Sequence, residues 1–158
     1  MNFQTIYKKA APRIHQAKCS ASAYSFKRIY EMANVGCAIM EISPMRNELI
    51  DYLKGLADKT YQYDCWVNNK CPDNVENDEL DYAVHFLFDD TNLSSNPESH
   101  IGDILKCSEE VQVIKNVCTQ LSNIFEKYGY DRTDEEYICL DDWDLVVGAS
   151  HKALNFIK

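Results

Sequence analysis

Asp81, His85 and Asp89 stand at i, i+4 and i+8 within the run ELDYAVHFLFDD, residues Glu79 to Asp90. Each helical residue advances about 100° around the axis, so this spacing stacks an imidazole between two carboxylates on one stripe. Such a stripe can ligate a metal when further ligands arrive from another element. Helical bundles that do so use Glu-x-x-His on paired helices, and this chain contains no ExxH. The plainer reading is a histidine held by carboxylates of its own helix, serving packing or specificity. A metal-dependent enzyme or sensor centred on Asp81, His85 and Asp89 is the alternative function, and no metal or other cofactor is expected.

Two further groups of acids have a spacing that suits a partner. Asp89-Asp90-Thr91 closes the same run. Negative charge at a helix C-terminus is unfavourable, so either Asp90 or Thr91 caps the next segment, or the carboxylate pair awaits a partner's lysine or arginine. Near the C-terminus, Asp134, Glu135, Glu136, Asp141, Asp142 and Asp144 surround Trp143. Acids are favoured at helix N-termini in any case. The same residues also suit a binding ridge, with Trp143 as anchor and Glu135, Glu136, Asp141, Asp142 and Asp144 as rim.

Covalent chemistry has no comparable signature. The seven cysteines and four histidines form no local nucleophile motif, and GxSxG, P-loop, GxGxxG and HExxH patterns are absent. An odd cysteine count without CxxC points to reduced thiols in a cytoplasm. Cys65–Cys71 is the only local disulfide the spacing suggests, around a loop holding Trp66 and Asn68-Asn69.

Charge is divided unevenly. Up to Met45 there are six basic residues against two acids, a net of +4; from Arg46 onward there are ten against 23, a net of −13. An acidic body of this kind repels nucleic acid and anionic membranes and draws in basic partners. At 158 residues, with 46% hydrophobic and 26% charged residues, one folded domain is expected. No run reaches the roughly 18 to 20 apolar residues that span a bilayer. Only five glycines and four prolines argue against a fold built of many tight turns.

The elements that must position these groups are helical. Residues 1–44 read as a basic, partly helical arm and residues 45–158 as an acidic helical domain. Ser43-Pro44 is a helix start, cap then proline, for a helix to about Ala57 burying Leu49, Ile50 and Leu53. Asn68 to Asn77 is a loop. Leu80 to Asp90 comes next as one helix, buried on most sides by Leu80, Tyr82, Ala83, Val84 and Phe86 to Phe88, the central post of the core. Asn96-Pro97 restarts a short helix with Ile101, Ile104 and Leu105 on its apolar side. Ser108 caps the longest helix, Glu109 to Tyr128, which Gly129 stops. Thr133 to Glu136 is a capping box. The last helix begins after Asp141 and places Trp143, Val146, Val147, Ala153, Leu154 and Ile157 on its buried side. The fold class is all-α: a single-domain bundle of about five or six helices around a central buried helix.

The segments LDYAVHFLFDDTNL, NPESHIGDIL and DEEYICLDDWDLVVGASHKAL, with YQYDCW upstream, resemble a family of short acidic bacterial proteins of unassigned activity, over roughly Met45 to Leu154. That family has no catalytic residues to carry over. More loosely, size and acidity are similar to the immunity proteins of bacterial toxin systems, including contact-dependent growth inhibition. The function expected is a cytoplasmic, non-enzymatic immunity protein that occludes a basic toxin domain, with a nuclease as the best fit. Toxic nucleases are basic because they bind nucleic acid, so an inhibitor gains from an acidic surface.

Overall fold

The structure, a computed structural model, describes residues 43–157. The basic arm expected over residues 1–44 lies, apart from Ser43 and Pro44, outside the described residues. The rest is all-α. Helix α1 is Pro44–Ala57; α2 is one turn, Lys59–Tyr61, continued by a π-helix, Gln62–Val67; α3 is Leu80–His85, continued by a second π-helix, Phe86–Asp90. A 3₁₀ turn, Pro97–His100, leads to α4 (Ser108–Tyr128), α5 (Asp134–Ile138) and α6 (Trp143–Ile157). Among the described residues there is no strand, only an isolated bridge between Ile101 and Leu105, and no helix is long and apolar enough to cross a membrane.

Apolar spacing explains most of the packing. In α6, Trp143, Val146, Ala149, Ser150, Ala153, Leu154 and Ile157 are buried at steps of three and four. That stripe is seated between α1 and α4, both of which pack on it. Helix α4 offers Val111, Ile114, Val117, Cys118, Leu121, Ile124 and Phe125; α1 offers Leu49, Leu53 and Leu56. Three consecutive residues that continue α3, Phe86, Leu87 and Phe88, are all buried, as expected of a helix apolar on most sides.

Local chemistry differs from expectation in several places. The run Leu80 to Asp90 is not one α-helix: its second half widens to a π-turn, closed where Thr91 donates both its N–H (3.2 Å) and its hydroxyl (2.6 Å) to the Phe86 carbonyl. Tyr82, expected on the apolar side, is exposed. The helix expected after Asn96 is a single turn. Gly102 adopts φ +94°, which few L side chains tolerate; Ile101 before it is turned out to solvent at 45% exposure, while Ile104 and Leu105 stay buried. Cys107, not Ser108, occupies the N-cap of α4 and makes no side-chain cap. Cys65 and Cys71 are joined in a disulfide, with Cα atoms 4.3 Å apart, so this pair departs from the expectation of reduced thiols throughout. Cys107, Cys118 and Cys139 are free.

Two polar clamps hold the long helices in register. At one end the Arg46 guanidinium, 3% exposed, donates to both Glu110 oxygens at 2.8 Å, to the Ile104 carbonyl at 2.8 Å and to the Ile157 carbonyl at 2.6 Å. Glu110 also accepts the Lys106 N–H at 2.7 Å. Burial works against the Glu110 charge, but the Arg46 and Lys106 hydrogen bonds and the Arg46 charge outweigh it and hold the carboxyl below the usual glutamate range. At the other end Gln62, fully buried, donates to the Gly55 carbonyl (2.8 Å) and accepts from the Trp143 indole (2.9 Å).

Removing one partner of a buried, multiply bonded ion pair strands the other charge and typically costs about 3–5 kcal/mol. Arg46→Met or Glu110→Gln is therefore expected to lower unfolding free energy by about that amount in urea titrations. Because the native Glu110 pKa is depressed, its contribution is present above the ordinary glutamate range and is lost as pH falls through the native value. The gap between wild type and Glu110→Gln should narrow progressively as the pH is taken below the ordinary glutamate value of 4.5; an unchanged gap would show that the charge is not what binds these ends together.

Candidate functional site

On α3 the expected stripe forms. His85 Nε2 lies 3.3 Å from Asp81 and Nδ1 lies 3.0 Å from Asp89, so both ring nitrogens face carboxylates one turn away on either side. All three side chains are part-exposed. Among the described residues no group of three or more His, Cys, Asp or Glu is arranged to hold a metal ion. Asp90 is exposed at the end of the stripe. The capping role belongs to Thr91, which is buried and reaches back to Phe86 and, at 3.4 Å, receives the Leu93 N–H. The His100 ring then meets the Thr91 carbonyl at 2.6 Å.

The C-terminal cluster is more dispersed than its sequence suggests. Trp143 is fully buried, so it belongs to the core and not to an exposed anchor; its place on the apolar stripe of α6, its bond to Gln62 and its stacking near Tyr137 (6.4 Å between centroids) account for it. Asp144 ion-pairs with Lys59, and Asp142 accepts from Lys127 and, at 2.9 Å, from the Tyr128 hydroxyl. Glu136 completes the capping box with Thr133. Glu135 and Asp141 are exposed. Asp142 and Asp144 are thus neutralised within the fold.

A different acidic group is assembled by contacts across the chain. Asp134, the first residue of α5, accepts the Leu80 N–H at 3.2 Å and so caps α3 from 54 residues away. This brings Asp134 beside Glu79, Asp81 and Asp78. Burial first, and then the three neighbouring carboxylates, push its pKa up to about 6 in spite of that hydrogen bond. Asp78 itself accepts from the Tyr61 hydroxyl (2.6 Å) and the Trp66 indole (3.0 Å). Tyr52 is driven above the usual tyrosine range by burial, then by Glu48, Asp78 and Asp90. The exposed side of α1, the loop before α3, α3 itself and the start of α5 therefore share one negative field.

Within that field is a cavity of about 130 Å³ lined by Glu79, Leu80, Asp81, Val84, Phe125, Tyr130, Arg132, Asp134 and Tyr137. Its rings are fixed: Phe125 stacks on Tyr130 at 5.9 Å and meets Tyr137 edge-on at 5.3 Å, while the Tyr137 hydroxyl donates to the Gly129 carbonyl at 2.8 Å. A wider depression between α1 and α6 has the opposite lining, Lys54, Lys59 and His151, but Lys54 pairs with Asp51 and Lys59 with Asp144. Sequence reasoning placed Asp134 only among the C-terminal acids, gave Glu79 no role beyond opening the ELDYAVHFLFDD run, and missed Tyr130 and Tyr137 as neighbours of α3. The capping box located the start of α5, but nothing local indicates which helix that start meets.

These features belong to a small acidic α-helical domain with a field on one side and an aromatic-walled cavity in it. Residues 40–158 match the family described as a domain of unknown function, DUF7945, and the chain belongs to that family. No curated protein and no solved structure matches the chain.

Asp134 carries a testable cost. Its native pKa lies above the ordinary aspartate value of 3.8, so between that value and about 6 the folded state holds more protons than the unfolded one. Stability from this group is therefore present below that window and lost as pH rises through it. Asp134→Asn keeps an acceptor for Leu80 and removes the charge. It should stabilise the protein at pH 7.5 by about 1 kcal/mol, after discounting for the solvent screening of a part-exposed carboxylate. The advantage should vanish near pH 4 in urea titrations; equal stabilisation at both pH values would show that charge is not the cause.

Proposed function

We propose that this protein is a non-enzymatic immunity protein that neutralises a basic toxin domain, a nuclease in the best-fitting case, by covering it. One observation carries the reading: among the described residues 22 acids lie at least partly at the surface against eight lysines and arginines, while the buried charge pair, Arg46 with Glu110, is self-neutral. The fold buries one carboxylate fully, leaves six half-exposed and displays the other 16. A surface so unbalanced raises association rates with a basic partner and disfavours nucleic acid and anionic lipid. The α1–α3–α5 side suits this role better than the α5–α6 corner, because Lys59 and Lys127 already pair with acids at that corner. Asp81, Asp89, Asp90 and the His85 held between two of them then supply contacts, and Glu135 and Asp141 supply part of the rim. The likeness in size and acidity to immunity proteins points the same way.

The test is capture of the full chain's partner at low ionic strength, followed by assay of that partner. A single basic protein is expected, released by about 0.5 M salt, where the screening length falls to a few ångströms. Its toxic activity should be blocked in the complex and return on dissociation. Asp89→Lys with Asp90→Lys should slow association by roughly tenfold at low salt and change dissociation less. An acidic partner, a salt-insensitive complex, or a partner equally active when bound would overturn the reading.

A further inference from the structure

We infer that the cavity between the start of α3, Tyr130 and α5 receives one lysine side chain of the protein partner, its methylenes against the aromatic wall and its ammonium among Glu79, Asp81 and Asp134. This rests on the binding reading above and names the contact that would give it specificity.

Size and lining point to this occupant. At about 130 Å³ the cavity has room for an ammonium and the methylenes next to it. Lysine needs an apolar surface for its stem and anionic or hydrogen-bonding groups for its compact head. Tyr130, half-buried, gives most of the first; Phe125, which stacks on it, and Tyr137 are almost fully buried and add little surface, but they hold the wall in place, so ordering it on binding costs little. The carboxylates give the second, and they come from two elements that the Leu80–Asp134 hydrogen bond fastens together.

Other ligands fit less well. An anion would meet three carboxylates. A metal ion has no use for an aromatic wall, and among the described residues Glu79, Asp81 and Asp134 do not form a group that could hold one. The cavity's own cation, Arg132, is turned to α4: its Nε donates to the Tyr128 carbonyl at 2.9 Å and its guanidinium lies 5.8 Å from the Tyr128 ring centre. Among the described residues no lysine or arginine forms an ion pair with Asp134 or Glu79. The raised pKa of Asp134 agrees with this geometry, since a carboxylate crowded by Glu79, Asp81 and Asp78 gains from an added cation.

The probe is Nα-acetyl-lysine N-methylamide, with the uncharged norleucine analogue as control, titrated into the full chain and followed by NMR. Saturable shifts are expected at the Leu80 amide and the Asp134 carboxyl, with a dissociation constant of about 1–10 mM, as suits one side chain. The norleucine analogue should bind at least about tenfold more weakly. At saturation the Asp134 midpoint should fall, because the cation favours the ionised form. Asp134→Asn, which is expected to fold at least as well as wild type, should lose about tenfold in affinity. Equal binding of the two analogues, no saturation by about 100 mM, or undiminished binding by Asp134→Asn would overturn the assignment. No toxin enters this titration, so a failed titration beside a captured basic partner removes only the cavity's role, while a bound probe with no basic partner removes only the immunity reading.

Discussion

The structure depends on one buried guanidinium. Arg46 sits in the first turn of α1 and finds acceptors 58, 64 and 111 residues away, at Ile104, Glu110 and Ile157. A charge taken out of water is tolerated only when its hydrogen-bonding capacity is met and an opposite charge is near. Meeting that condition fixes the start of α1, the start of α4 and the end of α6 at one end of the bundle. Helix α6 must then run antiparallel to both its neighbours. Apolar stripes alone specify faces but leave sliding cheap; a planar fork with four acceptors does not slide.

The far end is set by the near one. With α4 and α6 fixed, the C-terminus of α4 and the N-terminus of α6 come together, and Gln62 ties the latter to the end of α1 through Trp143 and Gly55. Phe125 near the end of α4 lies against Tyr130 and Tyr137 in the same region. Helix α5 is too short to be stable alone. Its capping box and its packing place Asp134 where it can cap α3. The cavity is therefore a consequence of how the start of α3, the end of α4 and the short α5 meet, and its walls inherit the rigidity of that junction.

Sequence showed the elements better than their encounters. Periodicity placed α1, α4 and α6, Gly129 marked the end of α4, and Thr133 with Glu136 marked the start of α5, because caps and apolar stripes are local patterns. Those patterns also put Trp143 on the buried stripe of α6, which conflicted with its reading as an anchor amid acids; burial decided the matter. Arg46 read only as the first basic residue of an acidic stretch, since a pairing across 64 residues leaves no periodic trace. The π-turns were equally hidden. One residue inserted into a helical ladder rotates every later side chain around the axis without changing composition. The His85 stripe was legible because its three members lie on adjacent turns, whereas the Glu79–Asp81–Asp134 group required knowing that α5 meets α3.

Asp134 makes the acidity of this protein more than a matter of solubility. A surface acid surrounded by solvent costs the fold almost nothing, and 16 of the described acids are exposed. Asp134 is different: it is part-buried, crowded by three carboxylates, and holds its proton up to about pH 6. An asparagine would still accept the Leu80 N–H without the electrostatic cost, so capping α3 does not explain the charge. Ionisable groups held against their preference by burial and like charge are characteristic of sites where another molecule completes the field. On the lysine-pocket reading the missing member is a cation: among the described residues no lysine or arginine pairs with Asp134, and a partner's ammonium would match its charge.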